Sequence, residues 1–546
     1  MKVPLIHTLK QKSRQINWPL LIFIILVLNV KLVVKIAAVI FFTFLNRKDI
    51  SIKQFFGQRY LYFYFGMMII GIINFFLQYK HISTVYFFTV AIGISFWLMS
   101  AIIAYLIYTV VKKEGSDKLH ATVSFFFLLH IAVIFLNLLR IIGETGSINP
   151  YTYQGLNQKY YISTGDFIMG ITFDSPVTTA VIAASGLLYF LYRKKILFSV
   201  ACMAALLIIA SNFTNLVLIA VFIFAFIFYT DKVQKSFIVI YIAMLVVFMG
   251  KISPQNNEHV GRIFYHVINK PYDLPKVIPI PLSQLKKEPD SVLNVEQRRQ
   301  KLAQNYIDSM NAERLGVNFI AQESEVAKKI AVAAPAKKDI TFYQFHESES
   351  VKEKINRYAS FLAQSYDTAQ KDSLKKLYDW NKPGKWIAGK ELFNFFKQHP
   401  FKILTGNGIA NFSSRLAFKA TLLNTAGSYP AKLKYINPDF LYNHLYTYLY
   451  YHAQDQSKHE ASNTPDAVYY QVAGEYGVAG LCCLVFFYFG FFLRRINTMS
   501  FGLPLLLLLG GAFFAEYWFE QFSIVILFEL LFFIDIKDMR REGQQS

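Results

Sequence analysis

Apolar stretches of membrane-spanning length, separated by short basic turns, run from Trp18 to about Gly250, give way to a long polar segment, and return at Ala467. A bilayer core is crossed by about 20 consecutive apolar residues in a helix, and backbone groups left unpaired in lipid are costly, so these stretches predict transmembrane helices rather than strands or loops. Trp18–Leu45 is interrupted by Asn29, Lys31 and Lys35 and flanked by basic residues on both sides. One crossing would put positive charge on both faces, so the pattern predicts a tight helical hairpin with Lys31 and Lys35 snorkelling as interfacial anchors near its outer turn. Single spans are expected at about Leu61–Leu77, Val85–Val111, Thr122–Ile142 and Pro176–Tyr192. Ile196–Tyr229 is too long for one span and carries the polar turn candidate Ser211–Asn215; Phe237–Gly250 then leads outward. After the polar segment, Ala467–Leu493 and a two-pass stretch, Phe501–Phe533, complete about 12 spans, with Gly510, Gly511 and Glu516 near the last turn.

The basic clusters Lys112-Lys113, Arg193-Lys194-Lys195, Lys232/Lys235, Arg494-Arg495 and Arg540-Arg541 fall on one side of that count. By the positive-inside rule they are cytoplasmic, as are both termini. The fold class expected is therefore an all-α polytopic membrane protein with about nine spans in residues 1–250, one large, mostly helical external loop over 251–466, and about three spans in 467–546. Within the loop, helical periodicity marks Gln297–Met310, Glu349–Trp380 and Gly389–Gln398, and no internal repeat is seen. The basic start runs into apolar sequence without a small-residue cleavage pattern, so the first span is expected to remain as an anchor.

Composition sharpens this. Across 546 residues, 54% are hydrophobic, 53 are Phe and the net charge is +21, with a mean hydropathy of +0.33. The positive balance is that of cytoplasmic-loop lysines and a contact with membrane lipids; no basic folded module for nucleic acid is visible. Cys202, Cys482 and Cys483 all lie in apolar spans, so the loop needs no disulfide and offers no thiolate zinc site. His444 and His452, in the tyrosine-rich passage Tyr442–Tyr451, have no tight metal spacing; no metal and no cofactor is expected, and the tyrosines read as an interfacial aromatic belt.

Chemistry concentrates between Lys382 and Leu481. Pro383–Gly408 sets Lys385 and Lys390 on an amphipathic helix closed by His399-Pro400, followed by the turn Gly406-Asn407-Gly408. Its glycines allow a close turn whose exposed N–H groups could hold a phosphate, or simply a plain turn. Ser413-Ser414-Arg415 and Lys419 follow, with Arg415 and Lys419 one helical turn apart. Asp466 directly precedes an apolar run, as a catalytic group or as a helix N-cap. Glu475, inside the start of a span, needs a partner.

Lys385, His399-Pro400 and Gly406-Asn407-Gly408-Ile409-Ala410-Asn411-Phe412 resemble the loop signature of the O-antigen ligase and O-antigen polymerase family: a basic residue, an amphipathic helix, His-Pro, then Gly-x-Gly-x-x-Asn-Phe. Tyr469-Tyr470-Gln471 with Glu475-Tyr476-Gly477-Val478-Ala479-Gly480-Leu481 is similar to the family's Glu-x-Gly-x-x-Gly opening of a late span. Gly170–Pro176 and the Ser211 turn match in the same order. The chain departs from the pattern at Asn212 and Lys385, where the family has arginine, and at Asp466, where its functional histidine falls; His459 lies one short loop upstream. The resemblance implies a glycosyltransferase of the bacterial inner membrane with a periplasmic loop. Its donor would be an undecaprenyl-diphosphate-linked glycan and its acceptor a second glycan or lipid A-core. Such transfer requires neutralising a diphosphate leaving group and deprotonating an acceptor hydroxyl. Asp466, His459 and Glu475 are the candidates for acid–base work. Lys385, Arg415, Lys419, Arg140, Arg262 and Lys251, with Gly406, Gly408 and Asn411 of the turn, are the candidates for holding the substrate. A lipid-linked saccharide transporter or flippase, and a noncatalytic envelope scaffold, are the alternatives. The first should show mid-span charges and internal symmetry, of which the chain has few and none.

Overall fold

The computed structural model describes residues 15–29, 31–77, 83–145, 168–209, 211–228, 231–249, 301, 351–425, 429–454, 461–496 and 499–545. Arg262, Lys251, His459 and the expected helix Gln297–Met310 lie outside them, except for Lys301, which is helical. The chain divides into two compact units, Met1–Asn269 with Lys354–Ser546, and Lys270–Glu353. The second half of the expected loop thus packs in the same unit as the apolar helices.

Every regular element among the described residues is helical. Asn17 caps the first helix, α1 (Trp18–Val27), by accepting from Leu20 N, and α2 (Leu32–Leu45) packs back on it as the expected hairpin. A short helix, α3 (Ile52–Gly57), precedes α4 (Tyr62–Leu77), α5 (Thr84–Lys113) and α6 (Ser116–Thr145). Next come α7 (Pro176–Tyr192), α8 (Ile196–Ile209), α9 (Asn212–Phe228) and α10 (Lys232–Val247). Ser175 caps α7 ahead of Pro176, whose missing N–H costs nothing at a first helical position. α7 is small-residue-rich, buried from Thr178 to Leu191, and packs most closely on α8. Small side chains permit such an approach between apolar helices. Among the described residues, four stretches are long and apolar enough to cross a membrane: Arg59–Leu77, Thr84–Lys113, Ser116–Gly143 and Val468–Leu493; shorter apolar helices include α1, α2, α7, α8 and Gly502–Ala512.

The loop helices are α11 (Val351–Ser365), α12 (Thr368–Leu377), α13 (Gly384–Gln398), α14 (Lys402–Thr405), α15 (Arg415–Ala420) and α16 (Tyr446–His452). Glu349–Trp380 is not one helix: Asp367 and Gln370 form a reciprocal capping box that starts a second one. α13 begins at Gly384 rather than Gly389, which places Lys385 in its first turn. The break near Ser211 falls at the start of the polar cluster, with α9 already helical from Asn212. The tyrosine-rich passage is no surface belt. Tyr446, Tyr448 and Tyr451 are buried, and Trp380 meets Tyr446 and Tyr450 with ring centroids 5.5 and 4.2 Å apart.

The chain closes with α17 (Val468–Cys482), α18 (Gly502–Ala512), α19 (Trp518–Gln521) and α20 (Ser523–Gln545). α20 runs past the expected limit at Phe533, and its residues from Ile524 to Ile534 are buried on all sides among α5, α6, α7 and α18. An all-round apolar helix belongs at a bundle centre. α17 is broken at Gly477 (φ 66°, ψ −161°), a region open to essentially glycine alone.

Candidate functional site

The broken helix organises the site. At the kink, the carbonyls of Gly474 and Glu475 accept from Asn407 N (2.8 Å) and Gly408 N (3.0 Å) of the glycine turn. Asn74 of α4 donates to the Glu475 carbonyl at 3.1 Å and to that of Thr405. A Cβ on Gly406 would lie 2.4 Å from the Glu475 backbone, and one on Gly477 would lie 2.5 Å from Gly406 N. The two glycines allow two backbones to touch. The N–H groups of Asn407 and Gly408, which the sequence offers to a phosphate, are therefore spent on the kinked helix. Asn411 is part of the same lock: its amide donates to the Asn407 carbonyl (2.9 Å) and Tyr86 Oη (3.0 Å) and accepts from Tyr435 Oη (2.7 Å).

Glu475 is fully buried, and its Oε1 accepts from Ser413 N at 3.2 Å. Glu520 accepts from Leu416 N (2.8 Å) and Gln471 Nε2 (2.7 Å). Two glutamates from α17 and α19 thus hold the segment that starts α15. That fixes Arg415 and Lys419, one turn apart on α15, along a small cleft open to solvent. Lys35, Asp174, Glu520 and Phe522 also line it. Lys35 is no interfacial anchor. It is 3% exposed, donates to the Gln521 carbonyl, and its Nζ stands 5.5 Å from the Phe522 ring centroid. Burial and the neighbouring Arg415 charge pull the Lys419 amine down to about 8.

A second charged group adjoins the first. Lys385 donates to the Asp466 carbonyl and, at 3.5 Å, to that of Ala515. Desolvation brings its amine down to about 8, against the pull of Asp466 and Glu516. Desolvation holds Asp466 above the usual carboxylate range, opposed by Lys385 and Arg415; it holds Glu516 above that range too, reinforced by the charge of Asp466. Arg415 lies within electrostatic reach of Asp466, Glu516 and Glu520, so the two groups are continuous. Asp466 is not the N-cap of α17: Ala467 holds that position, with no side-chain cap.

Lys385, Arg415, Lys419 and Asp466 thus come together. Gly406, Gly408, Asn411 and Glu475 form the scaffold beside them. Arg140 stands exposed near the end of α6 and is not among the residues lining the cleft. From sequence alone Glu520 and Asp174 carry no site role, Glu516 lies near a turn and Lys35 reads as an anchor. The spacing of Glu516 and Glu520 by one helical turn, next to apolar runs, was the available signal.

Ser413, His444 and Glu391 look like a nucleophile, base and acid, but all three are buried to 0% exposure. His444 Nε2 donates to the Ala388 carbonyl (3.1 Å), so its Nδ1 accepts from the Ser413 hydroxyl (2.6 Å), which accepts from Tyr517 Oη (2.9 Å). Desolvation drops the imidazole to about 3 and lifts Glu391, 3.8 Å away, to about 8. Both are neutral near pH 7, and the set is a fastening between loop segments. Among the described residues no group of His, Cys, Asp and Glu is arranged to hold a metal ion.

No protein-family model matches this chain, and a sequence search of curated proteins finds no match either.

Proposed function

We propose that this chain is a membrane glycosyltransferase of the O-antigen ligase and polymerase type, acting on a polyprenyl-diphosphate-linked glycan at the outer face of a bacterial inner membrane. The observation that carries the reading is the meeting of Arg415, Lys419 and Lys35 along one cleft, joined through Arg415 to Lys385, Asp466 and Glu516. Transfer needs both halves. The acceptor hydroxyl oxygen attacks the anomeric carbon, and the bond from that carbon to the diphosphate oxygen breaks. The diphosphate leaves with its added charge against the cations, and the hydroxyl proton passes to a carboxylate. Asp466, with a pKa raised by burial, is a better base near neutrality than a solvated aspartate. The acceptor is a second lipid-linked glycan or lipid A-core.

In a deletion strain, single repeat units still attached to the surface would identify a polymerase, and full-length glycan stranded on its carrier lipid a ligase. Complementation with Lys385→Ala, Arg415→Ala or Asp466→Asn is expected to leave the chain in the membrane and lose transfer, on the order of 100-fold or more for the base. Normal glycan with all three variants would overturn the site and favour a scaffold; normal glycan in the deletion strain would overturn the function.

A further inference from the structure

The helix α13 buries Gly384, Ile387, Ala388, Glu391 and Phe395 against its own unit. A different flank carries Trp386, Lys390, Phe393 and Lys397, spaced by four, three and four positions, all exposed. Phe393 is 70% exposed; beyond the helix end, Phe401 is 97% and Leu404 64% exposed. Large apolar side chains standing clear in a row beside lysines are not what a water-facing loop presents.

Phe401 directly precedes α14 and Leu404 lies within it, and α14 is tied to the apolar helices. Thr405 accepts from Asn74 of α4, and α14 packs on α17 at the Gly477 kink. On α4 the residues around Asn74 are outward-facing and apolar: Ile69, Ile72, Ile73, Phe76 and Leu77 are exposed, as is Val478 on α17. The exposed apolar residues of α4 and α17 thus stand beside α14, and α14 follows α13 directly in the chain. The lysines add charge to the flank of α13.

We propose that α13 and α14 form an in-plane membrane anchor. Phe393, Phe401 and Leu404 enter the acyl boundary of the outer leaflet; Trp386 sits at headgroup depth; Lys390 and Lys397 meet anionic lipid phosphates. The occupant of this surface is lipid. Aromatic residues at the interface with basic residues beside them are the side chains that suit that depth. The consequence reaches the site, because Lys385 stands in the first turn of α13. A helix floating on the bilayer holds that lysine at a fixed height above the lipid. The anchor stands independently of whether the cleft transfers a glycan.

The test uses the full chain in vesicles of phosphatidylcholine with phosphatidylglycerol. Cys482→Ser and Cys483→Ser remove the more accessible thiols, Cys202 being buried. Phe401→Cys and, separately, Phe393→Cys then carry an environment-sensitive fluorophore. Phe401 is so exposed that its replacement disturbs no packing. Blue-shifted emission is expected at both positions, with quenching by lipids bearing a nitroxide near the headgroup and little quenching by iodide. The shift should grow with the phosphatidylglycerol fraction and lose that growth in Lys390→Glu/Lys397→Glu. Iodide quenching without nitroxide quenching would overturn the anchor. So would shielding without nitroxide quenching, accompanied by cross-linking of two copies, which would assign the surface to a protein contact.

Discussion

Lys385 carries its charge into a half-buried place, and its two carbonyl partners and two neighbouring carboxylates favour its protonated form. Its amine lies near 8 rather than in the usual lysine range, while Asp466 and Glu516 lie above the usual carboxylate range. The window in which lysine is charged and the carboxylate pair has released a proton is therefore narrower at both ends than for solvated groups. Transfer is expected to fall on acidification at a pH above the ordinary carboxylate range, as the pair regains its proton. It should fall again above about 8 as Lys385 becomes neutral. The pH–rate profile of transfer by the reconstituted chain checks this; because the Lys419 amine also lies near 8, Lys385→Arg should weaken the alkaline limb and Lys385→Arg/Lys419→Arg, which does not titrate there, should remove it. A flat profile from about pH 5 to about pH 9 would exclude this cluster from the chemistry. Lys385, Arg415, Lys419 and Asp466 were legible in the sequence because they sit within or beside short motifs. Lys35 was not, because a lysine at a hairpin turn looks the same whether lipid headgroups or a buried carbonyl receive it.

At the scale of elements, the join between α14 and α17 depends on two glycines in conformations that other residues rarely adopt. Gly406→Ala and Gly477→Ala each add the strain of that backbone region and a Cβ inside another backbone. About 2–4 kcal/mol of destabilisation is expected for each. Because both substitutions break the same contact, the double variant should cost clearly less than their sum. Thermal unfolding in detergent followed by size-exclusion recovery measures both. Additive losses would mean that the two backbones do not depend on each other. The sequence announces a turn at Gly406-Asn407-Gly408 and reads Gly477 as part of the opening of a late span. It does not announce that the turn gives its N–H groups to a break in that span, since the two glycines are 71 positions apart.

Over the whole molecule, α20 runs through the middle of the helices and is fastened at its end. His120 of α6 bonds Asp538 at 2.5 Å through Nε2 and Tyr189 Oη at 2.8 Å through Nδ1. Ser116 also donates to Asp538, and Lys537 donates to the carbonyls of Val111 (2.6 Å) and Glu114. Asp538→Ala should leave His120 short of a partner and cost about 1–3 kcal/mol, with no change in the charges around Lys385. A lowered melting temperature with transfer preserved at low temperature is the expected pair of readings; an unchanged melting temperature would mean that the end of α20 holds nothing. The fastening ties residues more than 400 positions apart, which local patterning does not encode.

By itself the sequence determined what depends on neighbouring residues: helices rather than strands, the hairpin after Trp18, and the cationic turn of Arg415 and Lys419. Those features follow from run length, periodicity and propensity, which act over one or two helical turns. Tertiary structure alone decided that Lys35 and Glu520 share a cleft with Arg415, that the glycine turn serves a broken helix, and that the tyrosines fill a core. Each of these is a pairing between segments far apart in the chain. The free energy of burial that selects such pairings exists only once the segments have met.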